Sequence, residues 1–276
     1  MVNGVVCSEC GEMIFSRYRH DFRLCGCGNV SVDGGNDYFK YGYTKANSSG
    51  EITTVELDTK YRELSSLTTL SNEEIKYVAS HLKYDQTIYD PMAGTGSIAV
   101  VRQHKSVNVF CKEIEPEWIC KDYDIDRWYI GSSTEPLQTD EKFDWIIFEP
   151  PNGDRKSDHA NFSHSRGRHT YQEALDKDLH ENNVARMNWG PTYRTTMQKI
   201  YKSLKQNIGS NTGIILIIQD NLLSKNSDVV EFHLEQIKDL RFEVEDFKRF
   251  NNTITPFNND DIKLAYVFKR SSDEDV

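Results

Sequence analysis

No apolar run in this sequence of 276 residues approaches the length of a membrane span, and Met1-Val2-Asn3-Gly4 lacks the charged-then-apolar pattern of a secretory signal. The expectation is a cytoplasmic protein, in the host cytoplasm if its source is viral. A surplus of positive charge is also missing. The net charge of -10, spread along the chain, excludes a surface that is basic all over but leaves room for a local basic face. Cysteine is scarce outside the N-terminus: Cys7, Cys10, Cys25 and Cys27 fall within 21 residues, and the other two of the six, Cys111 and Cys120, lie far away. Clustered cysteines in a cytoplasmic chain favour metal over disulfides.

Hydrophobic residues make up 37% and aromatic residues 11%, enough for a packed core. The length suits one sizeable α/β domain plus a small module.

Residues 1–43 read as that module, zinc-ribbon-like. Cys7-Ser8-Glu9-Cys10 and Cys25-Gly26-Cys27 form a CxxC…CxC pair with 14 residues between them. Tetrahedral zinc takes four such thiolates, and Gly11 and Gly28 follow each knuckle where N–H groups must turn toward sulfur. A module this small gains from a metal staple. The competing reading is reduced cysteines buried in an ordinary β-hairpin. Between the knuckles, Arg17, Tyr18, Arg19, Phe22 and Arg23 carry charge and rings suited to phosphate and stacked bases, or simply decorate a hairpin. The RHDFR run and Val32-Asp33-Gly34-Gly35 resemble a small cysteine-containing module of phage proteins.

Residues 44–70 open with the polar TKANSSGE run and read as a linker, and 271–276 as an acidic tail. The main domain is expected over 71–270. Ser71-Asn72-Glu73-Glu74 fits a capping box for a helix through about Leu82. Thr87-Ile88-Tyr89 then leads into Asp90-Pro91-Met92-Ala93-Gly94-Thr95-Gly96, with Ser97 to Val101 as the start of a helix. Strand, glycine turn and helix let a backbone approach a ligand closely. The turn has no Walker lysine, which argues against a nucleoside triphosphate.

Further strands are expected at 107–111, 128–130, 143–148, 213–219, 242–250 and 262–268, with helices over 191–204 and 229–240. The continuous apolar runs FDWIIF and GIILIIQ suit strands buried on both faces. The order predicts a doubly wound, Rossmann-like, mostly parallel sheet closed by an antiparallel hairpin. Ligands bind at the carboxyl ends of such strands. There the sequence places the glycine turn, then Glu113 and Glu115, then Ser132, then Glu149-Pro150-Pro151-Asn152.

DPMAGTGS, EIEPEW and FEPPNGDR, in that order and spacing, resemble S-adenosylmethionine-dependent DNA methyltransferases of the amino-methylating class over residues 84–270. That family carries D-P-x-x-G-[TS]-G after its first strand and [DNS]-P-P-[YFW] after its fourth. GDRKSDH, Thr170-Tyr171, Leu179-His180-Glu181-Asn182 and Trp189-Gly190 resemble an insertion found in a phage and bacterial subgroup. The resemblance implies a methyl group passed from S-adenosylmethionine to an exocyclic amine, cytosine N4 or adenine N6. It implies that Asp90, Pro91, Ala93, Gly94 and Gly96 cradle the methionine moiety. Glu113 would bind the ribose, with Glu115 as rival, and Ser132 would lie near the adenine. Glu149, Pro150, Pro151 and Asn152 would surround the amine. A base in a duplex must be flipped out to reach them.

Two positions depart from the family. Glu149 replaces Asp, Asn or Ser, and its extra methylene moves the acceptor by about 1.5 Å. Asn152 replaces an aromatic ring, forfeiting stacking of roughly 1–3 kcal/mol unless Phe148, Phe162, Tyr171 or Trp189 supplies a face. Two other readings follow: an RNA methyltransferase, since PP-x-G-x-R also occurs in RNA-modifying members, or an inactive nucleic-acid binder that keeps the fold.

Residues 149–190 show almost no periodicity and hold Arg155, Lys156, Arg166 and Arg168 with Tyr171 and His159, His164 and His169. These residues form a local basic and histidine-rich group in an acidic chain. It is expected to contact DNA, or RNA, beside the pocket, against the alternative of a solvated loop.

Overall fold

The computed structural model describes residues 2–7, 13–16, 22–25, 28–34, 38–44, 53–57, 70–119, 123–137, 139–151, 153, 172, 175, 177–221, 228–251 and 261–271. The N-terminal part holds two small antiparallel sheets. In one, β1 (Val2–Val6) lies between β2 (Met13–Phe15) and a later strand, β6 (Thr53–Leu57). In the other, β4 (Val30–Asp33) lies between β3 (Arg23–Leu24) and β5 (Lys40–Tyr43). Val30 and Val32 alternate inward along β4 and join Val5, Cys7, Ile14 and Cys25 in one buried cluster. Thr53–Leu57 falls inside the segment read as a linker, yet it pairs with β1 over five residues, from Val2 opposite Leu57 to Val6 opposite Thr53. Its alternating Thr-Thr-Val-Glu-Leu pattern is what a strand at the edge of a sheet requires.

The main domain begins with α1 (Asn72–His81), whose capping box is complete: Glu74 N–H donates to Ser71 Oγ and Ser71 N–H to Glu74 Oε2. After it come β7 (Gln86–Asp90), β8 (Val107–Glu113), β9 (Arg127–Ile130), β10 (Phe143–Phe148), α2 (Pro191–Leu204), β11 (Ile208–Asn221), α3 (Asp228–Asp239), β12 (Phe242–Asn251) and β13 (Asp261–Arg270). Pro191 starts α2 at its first turn, where a missing N–H costs nothing.

The seven strands form one sheet in the order β12-β13-β11-β10-β7-β8-β9. Strands β11, β10, β7, β8 and β9 are parallel, and β13 runs antiparallel between β11 and β12. This is the doubly wound, Rossmann-like arrangement expected, with the last two strands as the antiparallel hairpin. The two faces divide the core cleanly. Ile146 and Phe148 face α2 and α3 with Ile214, Leu216 and Ile218, while Trp145 and Ile147 face α1 with Ile215 and Ile217. Both faces are covered, so residues 145–148 of β10 and 214–218 of β11 are apolar at every position.

One local expectation changes. Ser97–Gln103 forms a 3-10 helix, with Ala99 N–H donating to Gly96 O at 3.0 Å. The valine- and isoleucine-rich run SIAVVRQ has modest helix propensity, and β8 follows only four residues later. No described helix is long and apolar enough to cross a membrane.

Candidate functional site

The carboxyl ends of β7, β8 and β10 and the loop after β9 open onto one cleft of about 1150 Å³, its mouth included. It lies where the strand order reverses, between β7 and β10, the place where open α/β sheets bind ligands. Asp90, Pro91, Met92, Ala93 and Gly94 form one wall, Glu113 and Ser132 the next, and Glu149, Pro150 and Pro151 the far side.

The glycine turn owes its shape to left-handed backbone at Gly94 (φ 54°) and Gly96 (φ 84°). A Cβ on Gly96 would sit 2.4 Å from Ile125 Cδ1 and 2.8 Å from Trp128 Cζ2, so both conformation and space demand glycine there. The turn is tied to β8 twice. Ala93 N–H donates to the Lys112 carbonyl at 3.1 Å, and Gly94 N–H to Glu113 Oε2 at 2.8 Å.

The cleft is acidic. Asp90 is only 8% exposed; burial pushes its pKa up to about 8, against the Met92 N–H bond and with further upward push from Glu113 and Glu149. Glu113 is driven up to about 7 by burial, although N–H groups of Glu115, Gly94 and Ile114 bind its carboxylate. Carboxyls poised to ionise near neutrality suit a ligand that brings positive charge and hydrogen-bond donors. Lys112 also lines the cleft; burial lowers its pKa, and its ammonium donates to the Glu135 carbonyl at 2.6 Å.

Glu113 and Glu115 separate in role. Glu113 is the last residue of β8 and faces the cleft, whereas Glu115 does not line it. Glu115 is 1% exposed, and its oxygens take Lys177 Nζ at 2.9 Å, Asn183 Nδ2 at 3.0 Å and His180 N–H at 2.6 Å. Burial alone would raise its pKa, but these partners outweigh it and hold the carboxyl below its ordinary value. Glu115 therefore anchors the 177–186 segment, and Asn182, Asn183, Val184 and Ala185 from that segment close one side of the cleft. Trp118 of EIEPEW packs with Leu179 and Ala185 in the same seam.

On the far side, Tyr193 Oη donates to the Pro151 carbonyl at 2.5 Å. Its single proton being used, Tyr193 accepts from His233 Nε2 at 2.9 Å, and His233 Nδ1 accepts from Tyr201 Oη at 2.7 Å. Burial pushes His233 down to about 3, so the ring is neutral, as this chain of bonds needs. Glu149 Oε1 lies 2.8 Å from Lys263 Nζ. Both Lys263 and His233 were missed in the sequence, yet each stands in line with apolar partners: Lys263 with Ala265 and Val267 at period two, His233 with Val229 and Ile237 at helical spacing.

Of the ring candidates to replace the missing aromatic at 152, Phe148 is 1% exposed but lines the cleft. Trp189 does not line it; its ring meets Tyr193, Phe232 and the Arg194 guanidinium, which sits 4.5 Å from its centroid. Asn152, Phe162 and the proposed nucleic-acid contacts Arg155, Lys156, Arg166, Arg168 and Tyr171 lie outside the described residues.

Cys7 and Cys25 are both buried in the N-terminal core. Val30 N–H points at Cys25 Sγ, 3.2 Å away, and Gly28 (φ 69°) donates to the Cys25 carbonyl at 2.7 Å, closing a turn after β3. Cys10 and Cys27 lie outside the described residues, among which no group of three or more metal-ligating side chains is found.

Residues 1–43 match the model of a family described as a domain of unknown function, DUF7695. No curated protein matches the chain. Among solved structures it is similar to a TehB-like SAM-dependent methyltransferase from Corynebacterium glutamicum, at 15% identity and a TM-score of 0.45, over 77% of this chain and 95% of that one. It is similar to a precorrin-6y C5,15-methyltransferase from Geobacter metallireducens at 11% identity and 0.43, over 74% and 92%. A SAM-dependent methyltransferase from Methanosarcina mazei shares 11% identity and 0.44, over 73% and 98%.

Proposed function

We propose that the protein is an S-adenosylmethionine-dependent methyltransferase that modifies an exocyclic amine of DNA, N4 of cytosine or N6 of adenine. The observation that supports this is one cleft, at the switch point of the sheet, shared by the Asp90–Gly94 turn, Glu113 and the Glu149-Pro150-Pro151 run. Its acidic, glycine-walled side fits the cofactor. Asp90, Pro91, Ala93, Gly94 and Gly96 would hold the methionine end, Glu113 the ribose hydroxyls and Ser132 the adenine side. When bound, S-adenosylmethionine supplies an electrophilic methyl group on a positively charged sulfur.

The chain's own residues then act by orientation. The two successive prolines fix the backbone beyond β10, and Tyr193 holds the second by its carbonyl. Glu149 accepts an N–H of the incoming amine, turns its lone pair toward the methyl, and takes up the proton the nitrogen sheds. Asn152 is proposed to complete this side. Arg155, Lys156, Arg166, Arg168 and Tyr171 would grip the nucleic-acid backbone beside the pocket. The test is incubation with tritiated cofactor and either DNA or RNA, followed by digestion to nucleosides. Label in a methylated cytidine or adenosine of DNA supports the reading, label only in RNA moves the substrate to RNA, and binding without transfer leaves a nucleic-acid binder.

For residues 1–43 we infer a structural zinc held by Cys7, Cys10, Cys25 and Cys27, supported by the buried thiols and the Val30 N–H directed at Cys25 sulfur. Elemental analysis is expected to find about one zinc per chain, lost in the Cys7→Ser/Cys10→Ser double variant. A folded, metal-free wild type would refute it.

A further inference from the structure

Glu149 does not stand alone in the cleft. Its side chain is 30% exposed, and Oε1 is 2.8 Å from Lys263 Nζ. Lys263 sits on β13 opposite Gln219 of β11, a residue that itself lines the cleft. The same ammonium lies 3.2 Å from Glu74 Oε1, and Glu74 Oε2 is taken by the N–H of Ser71 at 2.6 Å. Glu74 is 1% exposed and has both oxygens occupied. Burial pulls the Lys263 pKa down, but Glu149 and Glu74 outweigh it and hold it above the ordinary lysine value. A charged ammonium therefore sits between two carboxylates, one structural and one facing the cleft.

The second oxygen of Glu149 has no partner among the described residues. One oxygen is thus clamped from β13, on a side chain that lines the cleft. This clamp answers the geometric difficulty that a glutamate raises at this place. The longer side chain has an extra torsion and reaches about 1.5 Å further than an aspartate. An unrestrained glutamate would spread its acceptor over several rotamers, and orientation within a fraction of an ångström is what such a site must supply. Drawing Oε1 back to β13 removes that freedom and leaves Oε2 in one place.

We propose that Lys263 is the positioning residue for Glu149, fixing Oε1 so that Oε2 alone receives the N–H of the acceptor amine. The inference rests on reading the cleft as a methyl-transfer site. Glu74 has the supporting part of balancing the ammonium and locking it to the first turn of α1.

Wild type, Lys263→Met, Lys263→Arg, Glu149→Gln and the Lys263→Met/Glu149→Gln double variant are compared for kcat and KM with nucleic acid, and for Kd with S-adenosylmethionine. Lys263→Met is expected to lose about 100-fold in kcat with Kd for the cofactor within about twofold, and Lys263→Arg to recover most of the loss. The double variant is expected to be no slower than Glu149→Gln, because both changes remove one interaction. Lys263→Met leaves Glu74 without its cation, so Lys263→Met/Glu74→Gln serves as a second variant; glutamine keeps the capping box and the fold, and the same loss in kcat is expected. Wild-type kcat in Lys263→Met, or losses that multiply in the double variant, would overturn the inference while leaving the methyltransferase reading intact. A wild type that binds the cofactor but methylates neither DNA nor RNA would overturn both.

Discussion

If Asp90 holds the cofactor as proposed, it makes cofactor affinity depend on pH in a calculable way. Burial in the glycine turn keeps its carboxyl protonated up to about 8 in the free protein. A ligand carrying a sulfonium and an ammonium prefers the carboxylate, so binding expels a proton wherever Asp90 starts protonated. The sign follows: affinity rises with pH up to about 8 and falls as pH drops below it. If only the carboxylate binds, the competent fraction is about one half at pH 8 and about one hundredth at pH 6. That is about 50-fold in Kd, or about 2.3 kcal/mol. Glu113, raised to about 7, adds to the loss at the acid end. The ligand's own α-amine titrates near 8, so Asp90→Asn is the control that isolates the protein's contribution. Isothermal calorimetry at pH 6, 7 and 8, in buffers of different ionisation heat, reads both Kd and protons. Close to one proton should leave at pH 7 in the wild type and markedly fewer in Asp90→Asn. A Kd flat from pH 6 to 8, with heats independent of the buffer, would refute the assignment of Asp90 to a cationic ligand.

Other consequences follow from single contacts. Gly96→Ala is expected to cost at least about 1–2 kcal/mol in backbone strain, and more from contact with Ile125 and Trp128; urea unfolding measures it. His233, held neutral down to about 3, refuses a proton that the unfolded chain accepts near 6.5, so its contribution is full above 6.5 and is lost as pH falls toward 3. The stability gap between wild type and His233→Gln should therefore shrink by about 2 kcal/mol between pH 7 and pH 5, and parallel curves would contradict this. The opposite slopes of Asp90 and Glu113, which lose stability as pH rises from about 4 toward 8 and 7, cancel in that difference. Glu113→Gln should weaken cofactor binding more than Glu115→Gln, which instead lowers the melting temperature by loosening the 177–186 wall. Equal affinities in the two variants would reverse their roles.

The sheet was legible because its central strands are covered on both faces. Burial of successive residues on opposite faces forces apolar runs such as WIIF in β10 and IILII in β11, which few other elements produce. The capping box at Ser71 and Pro191 at the start of α2 were local signals with local causes, and both helices begin where they predict. Strand β6 was hidden because TKANSSGE just before it dominates the composition, while its five residues pair with β1, about fifty positions earlier in the chain. The site was read as far as strand ends allow. Asp90, Glu113, Ser132 and Glu149 lie on the cleft, but nothing local tells Glu113 from Glu115. That difference is set by Lys177, His180 and Asn183, more than sixty residues downstream. Lys263 and His233 break the apolar pattern of otherwise buried faces. Their partners, Glu74 and Glu149 for one and Tyr193 and Tyr201 for the other, come together only through the fold.

The proposed passage of a methyl group from this cleft to a base amine in DNA is tested most directly by mass spectrometry of nucleosides from DNA treated with the purified protein and deuteromethyl-labelled S-adenosylmethionine. A three-deuterium methyl is expected on N4 of deoxycytidine or N6 of deoxyadenosine, strongly reduced with Glu149→Gln. Unlabelled DNA nucleosides, from protein shown by calorimetry to bind the cofactor, would contradict it.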